Sequence, residues 1–134
     1  MAHLKPSVKA HHVYSNGGKA TSVYVGRFVH VGTGVAFGQN VEIDDMAIIK
    51  FDAIIGNRVK IGIGTLVREL ATIGDNCTIG NDISIGRMAR IGNNVTIGDL
   101  SEIGEHAQIG NGVKLPEKTI VLPYHRIGMD KTIS

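Results

Sequence analysis

Residues 73–115 read IGDNCTIGNDISIGRMARIGNNVTIGDLSEIGEHAQIGNGVKL, and this stretch decides the fold. An isoleucine or leucine returns at every sixth position from Ile73 to Leu115, and glycine follows each isoleucine of that series. The same phase extends upstream to Val25 and downstream to Ile133, and every position in it is apolar. A fixed short period without a break is the signature of a solenoid, in which each repeat stacks on the next.

The other positions of the six-residue repeat predict how each repeat folds. Four residues after each member of the series from Val25 to Leu115 comes a small or β-branched residue, and three residues after it often comes glycine, asparagine or aspartate. The latter types tolerate the positive φ that a tight corner needs. Each repeat therefore predicts a short strand and a corner, and three repeats, 3 × 6 = 18 residues, close a triangular turn. Turns stacked at the strand spacing of about 4.8 Å would form three parallel sheets.

This pattern, aliphatic-Gly-x-x-small-x over roughly residues 25–133, closely resembles the hexapeptide-repeat superfamily of left-handed parallel β-helices. The resemblance implies an all-β, single-domain left-handed parallel β-helix, a triangular prism of about six 18-residue turns. The left hand is implied by the resemblance, because general connection rules would favour the opposite hand. No insertion interrupts the repeat between Val25 and Leu115, so we expect no extruded loop.

Both ends of the chain depart from the repeat. Residues 1–24 do not keep its phase, and an irregular N-terminal cap there would cover the strand edges that a solenoid end exposes. Within it, the segment Ser15–Gly18 reads as a turn. Residues 25–134 are expected to form the β-helix, in which Pro116 and Pro123 predict a distorted final turn.

Composition argues against several classes of protein. The formal net charge is only +2 and aromatic residues make up 4% of the chain, so no nucleic-acid partner is expected. No 18-residue apolar run exists and the N-terminal segment lacks the apolar region of a signal peptide, so we expect a cytoplasmic protein without a membrane partner. The single cysteine, Cys77, falls on an inward small position and is interpreted as a packing residue.

One predicted side of the prism differs from the other two. Sorting the outward positions by the 18-residue period gives large apolar residues on and beside this side, at Phe28, Met46, Ile48, Ile63, Leu66 and Leu70. Contiguous exposed apolar residues indicate an interface or a ligand surface. A homotrimer through this side is expected, since symmetric closure buries one patch repeatedly and the resemblance also implies trimers. A lipid or substrate groove and a heteromeric partner remain alternatives.

Two cations interrupt the glycine positions on that same side. Lys50 and Arg68 replace glycine in successive turns and should stack, with Asp52 and Glu69 at the nearby corners. The pattern predicts either a salt-bridge cluster at the rim of the interface or a substrate-binding anion site for phosphate or carboxylate, since stacked like charges favour a counter-ion.

The resemblance also implies a reaction. It is acyl transfer from acyl-CoA or an acyl carrier protein to a small hydroxyl or amine acceptor, with a histidine as general base in a cleft between subunits. The candidate catalytic residues are His106, at a corner bordering the apolar side, and His30, in the outward column of that side. The repeat around His106 is similar to the histidine-bearing repeat of lipid A acyltransferases, with the histidine one position later. No cofactor is expected to be bound, and acyl-CoA is a possible co-substrate.

Two other functions stay open at this point. The uninterrupted repeat favours a non-catalytic trimeric β-helix that serves as a scaffold or binding module. A gamma-class carbonic anhydrase-like protein would hold zinc on three histidines, two of them five residues apart, and this sequence contains no such pair. No metal site is therefore predicted.

Overall fold

The structure is a computed structural model that describes residues 10–16 and 19–133, with side chains from residue 22 onward. The described residues form strands and turns and contain no helix. Three parallel sheets build a solenoid of about 6 turns of ~18 residues, which confirms the fold class predicted from the six-residue repeat.

The two N-terminal strands are long and the others are short. In chain order, the strands are β1 (Ala10–Asn16), β2 (Lys19–Val25), β3 (His30–Val31), β4 (Ala36–Phe37), β5 (Val41–Ile43), β6 (Ile48–Ile49), β7 (Ile54–Ile55), β8 (Lys60–Ile61), β9 (Leu66–Val67), β10 (Thr72–Ile73), β11 (Thr78–Ile79), β12 (Ser84–Ile85), β13 (Arg90–Ile91), β14 (Thr96–Ile97), β15 (Glu102–Ile103), β16 (Gln108–Ile109), β17 (Lys114–Leu115), β18 (Ile120–Val121) and β19 (Arg126–Ile127).

From β2 onward, every third strand belongs to the same side of the prism, and β1 joins the side of β2. Side A has the order β1-β2-β5-β8-β11-β14-β17, side B has β3-β6-β9-β12-β15-β18, and side C has β4-β7-β10-β13-β16-β19. Neighbouring strands of the solenoid pair in register, so that Ile73 lies opposite Ile55 on one flank and Ile91 on the other. We name the three edges of the prism the A–B, B–C and C–A corners, in the order in which the chain crosses them.

The core is the inward ladder that this register creates. From β6 to β18, each two-residue strand turns its first residue outward and buries its second, as Ile54 and Ile55 of β7 show with exposures of 52% and 1%. Small corner residues such as Ala53 and Ala89 are also fully buried, which lets the three sheets meet closely. Because the shift from one turn to the next is 18 residues, equivalent side chains stack and fill a continuous apolar column.

The corners require unusual backbone conformations. The residue three positions after each ladder residue has φ between 53° and 78° at every turn from Phe28 to Asp130. At the A–B and C–A corners the preceding position often carries Asn or Asp, whose side chain accepts a hydrogen bond from the turn before it, as Asp75 Oδ1 does from Asn57 N at 2.8 Å. The B–C corner has no Asn or Asp at that position, where it carries residues such as Arg87 and Glu105.

The N-terminal segment is more regular than the sequence predicts. Where an irregular cap was expected, β1 and β2 form an antiparallel hairpin in which Ala10 pairs with Val25 and Asn16 with Lys19. The second strand then pairs in parallel with β5, so the hairpin continues side A and satisfies backbone groups that a bare solenoid end would leave unpaired. Residues 1–9, and half of the expected turn at 15–18, lie outside the described residues.

The final turn also keeps its register on two sides. Strands β18 and β19 pair with β15 and β16, and Tyr124 after Pro123 has the same positive φ as the other corner residues. Pairing is reduced only on side A, where a single bridge joins Lys114 to Thr132 beyond β17. Pro116 has no N–H to donate to a further strand there. Among the described residues of the final turn, the reduced pairing is therefore on side A.

Candidate functional site

Side B and its two corners carry most of the exposed large apolar residues of the described chain. They are Phe28, Met46, Ile48, Phe51, Ile63, Leu70, Met88, Leu100, Ile120, Leu122 and Tyr124. Of the six side chains predicted to form the interface, Phe28 is the most exposed at 84%, whereas Leu66 is partly buried. An exposed apolar surface of this extent indicates a site of interaction.

The backbone strain of the corners is distributed unequally around this surface. Residues other than glycine, asparagine and aspartate cost about 1–2 kcal/mol in the left-handed region. At the C–A corner only Arg58 is of this type. At the two corners that border side B there are many, namely Phe28, Met46, Leu70, Met88, Leu100, His106, Lys118 and Tyr124. The chain thus accepts strain where it places large side chains beside side B, which is expected if those side chains make contacts that offset it.

A groove of about 440 Å³ lies on side B towards its B–C corner. Its floor is formed by Gly86 and Gly104, which follow the ladder residues of two successive turns. In the same column the turn below carries Arg68 and the turn above carries Leu122, so two residues without side chains lie between two long ones. A Cβ on Gly86 would lie 2.5 Å from Glu105 N, so this floor is restricted to glycine.

Four charged side chains line the groove, and only one of them has an ionic partner among residues 22–133. Arg68 Nε donates to Glu69 Oε1 at 3.0 Å. This hydrogen bond is the main reason why the pKa of Glu69 is lowered, and Lys50 contributes a smaller attraction. Arg87, Glu102 and Glu105 form no such pair within these residues.

Lys50 and Arg68 follow one another in one column, since Ile49 pairs with Val67. Arg68 lines the groove, whereas Lys50 lies one turn below it. Arg68 and Glu69 form one of the salt bridges that the sequence allows at this rim. The same contact holds the guanidinium of Arg68 at the lower end of the groove.

His106 lies on the same turn as Glu102 and Glu105, at the B–C corner. Its φ is 57° and its backbone N–H donates to the carbonyl of Arg87 at 3.0 Å, which fixes the start of the side chain. The imidazole stacks on the ring of Tyr124 one turn above, with centroids 4.8 Å apart and planes 4° from parallel. Among residues 22–133, no group forms a hydrogen bond with either imidazole nitrogen. Stacking therefore orients the ring and leaves both nitrogens available to a ligand.

His30 is exposed on β3, at the other end of side B. Its column runs through Ile48, Leu66 and Ser84 to Glu102, on the turn of His106. Four turns at about 4.8 Å separate the two histidines by about 19 Å along the axis. One protomer does not bring the two candidate bases together.

The single cysteine belongs to the core and not to the groove. Cys77 is buried, its Sγ lies 3.0 Å from the carbonyl oxygen of Gly92, and burial raises the pKa of the thiol. Within the part of the chain that the structure describes, no group of three or more His, Cys, Asp or Glu side chains is arranged to hold a metal ion. The same part contains no helix long and apolar enough to cross a membrane.

No protein-family model matches the chain, and no curated protein matches it either. Solved structures do match. A mutant of AntD, an N-acyltransferase from Bacillus cereus, in complex with dTDP and Coenzyme A, has a TM-score of 0.58 and 17% sequence identity over 72% of this chain and 71% of that chain. UDP-N-acetylglucosamine acyltransferase from Arabidopsis has a TM-score of 0.53 and 15% identity over 84% and 57% of the two chains. A hexapeptide transferase family protein from Anaplasma phagocytophilum has a TM-score of 0.52 and 16% identity over 90% and 73%.

These likenesses, together with the 18-residue turns, establish the fold. The chain is a hexapeptide-repeat β-solenoid. Its sequence identities to the three structures are 15–17%, and likeness at this level establishes the fold alone. This hexapeptide-repeat solenoid also spans only 57% of the Arabidopsis enzyme.

Three charged residues of the groove in this hexapeptide-repeat solenoid, Arg87, Glu102 and Glu105, are not predicted as site residues from the sequence. Arg87 and Glu105 each come directly before the corner residue of positive φ. The residue type at this position varies from repeat to repeat, so the repeat alone does not distinguish these two side chains from other surface residues. A usable signal does exist in the glycine column of side B. Read every 18 residues, that column places two glycines between Arg68 and Leu122 and so locates the groove.

Proposed function

We propose that the protein is an acyltransferase that moves an acyl group from acyl-CoA or an acyl carrier protein to a small hydroxyl or amine acceptor at a subunit interface. The observation that carries this proposal is His106, oriented by its stack on Tyr124 and placed on the turn that lines the groove of side B. The fold is shared with structures described as acyltransferases, one of them in complex with Coenzyme A, which supports the choice of donor.

The chemistry assigned to the site is an acyl transfer between a thioester and the acceptor. The acceptor oxygen or nitrogen forms a bond to the thioester carbonyl carbon, and the carbon–sulfur bond breaks. His106 takes the proton of the acceptor as the bond forms and passes it to the leaving thiolate, so that the products are the ester or amide and the free thiol. His30, far from the groove in its own protomer, is the second candidate for this role.

We also propose that side B is the contact between subunits of a homotrimer. The exposed apolar residues and the strained corner residues both concentrate there, whereas sides A and C carry mainly polar outward residues on their middle turns. Rotational symmetry of order three would bury the same surface on each protomer and place the groove near a neighbouring subunit. The protein would then be complete as a catalyst only when assembled.

Removing strain at a corner should separate monomer stability from assembly. Leu100, at φ 65° beside side B, is 52% exposed, and Leu100→Asn is expected to stabilise the isolated protomer by about 1 kcal/mol because asparagine tolerates this conformation. The same substitution removes an apolar contact and should weaken the trimer. Sedimentation across a concentration series, with thermal unfolding at fixed concentration, measures both effects.

The matched control for Leu100→Asn is Arg58→Asn, at φ 55° on the C–A corner. It should relieve similar backbone strain and leave the association constant unchanged, although its gain in protomer stability is reduced by loss of the exposed hydrogen bond from Arg58 Nε to Asn76 Oδ1 at 2.6 Å. Equal effects of the two substitutions on assembly would contradict the assignment of side B as the interface.

The proposed function is tested by release of the donor thiol. Purified protein incubated with acetyl-CoA and a panel of small amines and alcohols is expected to liberate free thiol at a rate that depends on the acceptor, detected with a thiol reagent. Acetyl-CoA alone should raise the melting temperature, since a ligand that binds only the folded state stabilises it. A protein that neither turns over nor shows a shift at millimolar acetyl-CoA is not an acyl-CoA transferase.

The alternative function is a non-catalytic scaffold or binding module. It is favoured by the absence of any inserted loop among residues 22–133, where each turn follows the last without interruption. In that case substitution of His106 leaves partner binding unchanged, and the apolar surface of side B alone accounts for the function.

A further inference from the structure

The groove on side B changes its chemical character from turn to turn. Arg68 and, one turn further along, Arg87 line its lower end, Glu102 and Glu105 line the next turn, which we call the middle turn, and apolar residues line the upper turn. These upper residues are Ile120, Leu122 and Pro123. Ser84, Glu102 and Ile120 pair in register, so the levels follow one another at about 4.8 Å.

The two arginines at the lower end and the two glutamates of the middle turn do not form ion pairs with one another within residues 22–133. Only Arg68 is held in an ion pair, through Nε to Glu69, and that geometry leaves its two terminal nitrogens free of that contact. Arg87 and the two carboxylates of the middle turn form no side-chain hydrogen bond or salt bridge within residues 22–133. Opposite charges one turn apart that do not pair are suited to binding the opposite charges of a ligand.

The order of the levels defines the ligand. Guanidinium groups bind a carboxylate or phosphate, carboxylates bind an ammonium group, and the upper turn offers an apolar contact. We propose that this groove is the acceptor subsite and that it selects a primary amine with an anionic group on one side and an apolar group on the other. An apolar α-amino acid is the simplest compound of this class. The reaction assigned to the amine rests on the acyl transfer proposed above, whereas its binding does not.

His106 lies on the turn that would hold the amine. The bound ammonium group releases one proton to solvent, and the nitrogen then forms a carbon–nitrogen bond with the thioester carbonyl carbon as the carbon–sulfur bond breaks. The second proton of the nitrogen passes through His106 to the thiolate. The products are an amide, in which the amino acid is N-acylated, and the free thiol.

Calorimetric titration without any acyl donor tests the subsite. L-leucine is expected to bind the full chain at least about tenfold more tightly than leucinamide, which lacks the carboxylate, or N-acetyl-leucine, which lacks the basic amine. Glycine, which lacks the apolar group, should be weaker by a similar factor. The aminophosphonate analogue of leucine distinguishes the two anions, since tighter binding than leucine would assign the lower level to phosphate.

Two substitutions locate the site. Glu102→Gln and Arg87→Gln are each expected to weaken leucine by about tenfold or more, because a hydrogen bond to a charged group is lost. Arg90→Gln, an exposed arginine on side C, is the matched control and should leave leucine binding unchanged. Circular dichroism should be identical for all variants, since these side chains are exposed.

The outcomes separate this inference from the function on which its chemistry rests. Equal affinity for leucine, leucinamide and N-acetyl-leucine, or no saturation with any of them, overturns the subsite. If acetyl-CoA is turned over with other acceptors in that case, the proposed function stands alone. Selective leucine binding that depends on Glu102 and Arg87 supports the subsite, even if acetyl-CoA neither binds nor reacts.

Discussion

The variant His106→Ala is expected to lower kcat/KM for acyl transfer by about 10²- to 10⁴-fold, the range that a positioned general base contributes. The physical reason is that the acceptor must lose its proton as it attacks, and His106 is the only histidine on the middle turn of the groove, the turn that begins at Glu102. The ring is held by its stack on Tyr124 and by the fixed backbone of the corner. Steady-state rates of thiol release, with the best acceptor of the panel, measure the loss.

Two further histidine variants make the result specific. His125→Ala, at an exposed position on the final turn, should keep the activity of the unchanged protein. His30→Ala decides between the two candidate bases, since a large loss there with little loss for His106→Ala would transfer the role to His30. Added imidazole should restore part of the activity of His106→Ala if the missing group is a proton acceptor, and no restoration is expected for a merely structural loss.

The variant Ile55→Ala is expected to reduce the free energy of unfolding by about 2–5 kcal/mol. Ile55 is 1% exposed and stands in the ladder between Phe37 and Ile73, so alanine leaves a cavity between two stacked turns. The loss includes both the transfer of the removed methyl and methylene groups and the cavity that remains. Urea unfolding at fixed protein concentration measures it, since an assembled protein has a concentration-dependent stability.

The matched control for Ile55→Ala is its neighbour in the same strand. Ile54 is 52% exposed on side C, and Ile54→Ala should change the free energy of unfolding by less than about 0.5 kcal/mol. The two variants delete the same atoms from adjacent residues that point to opposite faces of β7. Equal costs for the two would show that the inward ladder is not the principal source of stability.

The N-terminal hairpin could not be predicted from the six-residue repeat. The repeat assigns each residue from Val25 onward because its signal recurs every six positions, and nothing recurs in residues 1–24. The pair Gly17–Gly18 between two strand-like segments is a hairpin signal. The sequence predicts the turn at 15–18 but not the two strands that flank it. The strands themselves are defined by pairing across the turn, which a pattern of single positions does not record.

The groove shows a different kind of limit. The outward column and the cations at Lys50 and Arg68 are readable from the sequence, and the structure places both on side B. Whether Arg68 pairs with Glu69 or faces a ligand depends on which rotamer the neighbouring turn permits. The stack of His106 on Tyr124 joins residues 18 positions apart at a corner whose backbone angle had to be known first.

The sequence by itself determined the three-sided solenoid, its ladder and the identity of the apolar side, because a strict period leaves only one way to stack every aliphatic residue inward. Only the tertiary structure decided which variable residues meet across neighbouring turns. It placed large side chains in strained conformations at the corners of side B, and it enclosed a groove between Arg68 and Leu122. The reason is that burial restricts the ladder positions to apolar residue types, which a sequence shows directly. The contacts of a surface residue depend instead on neighbours that are distant in the chain.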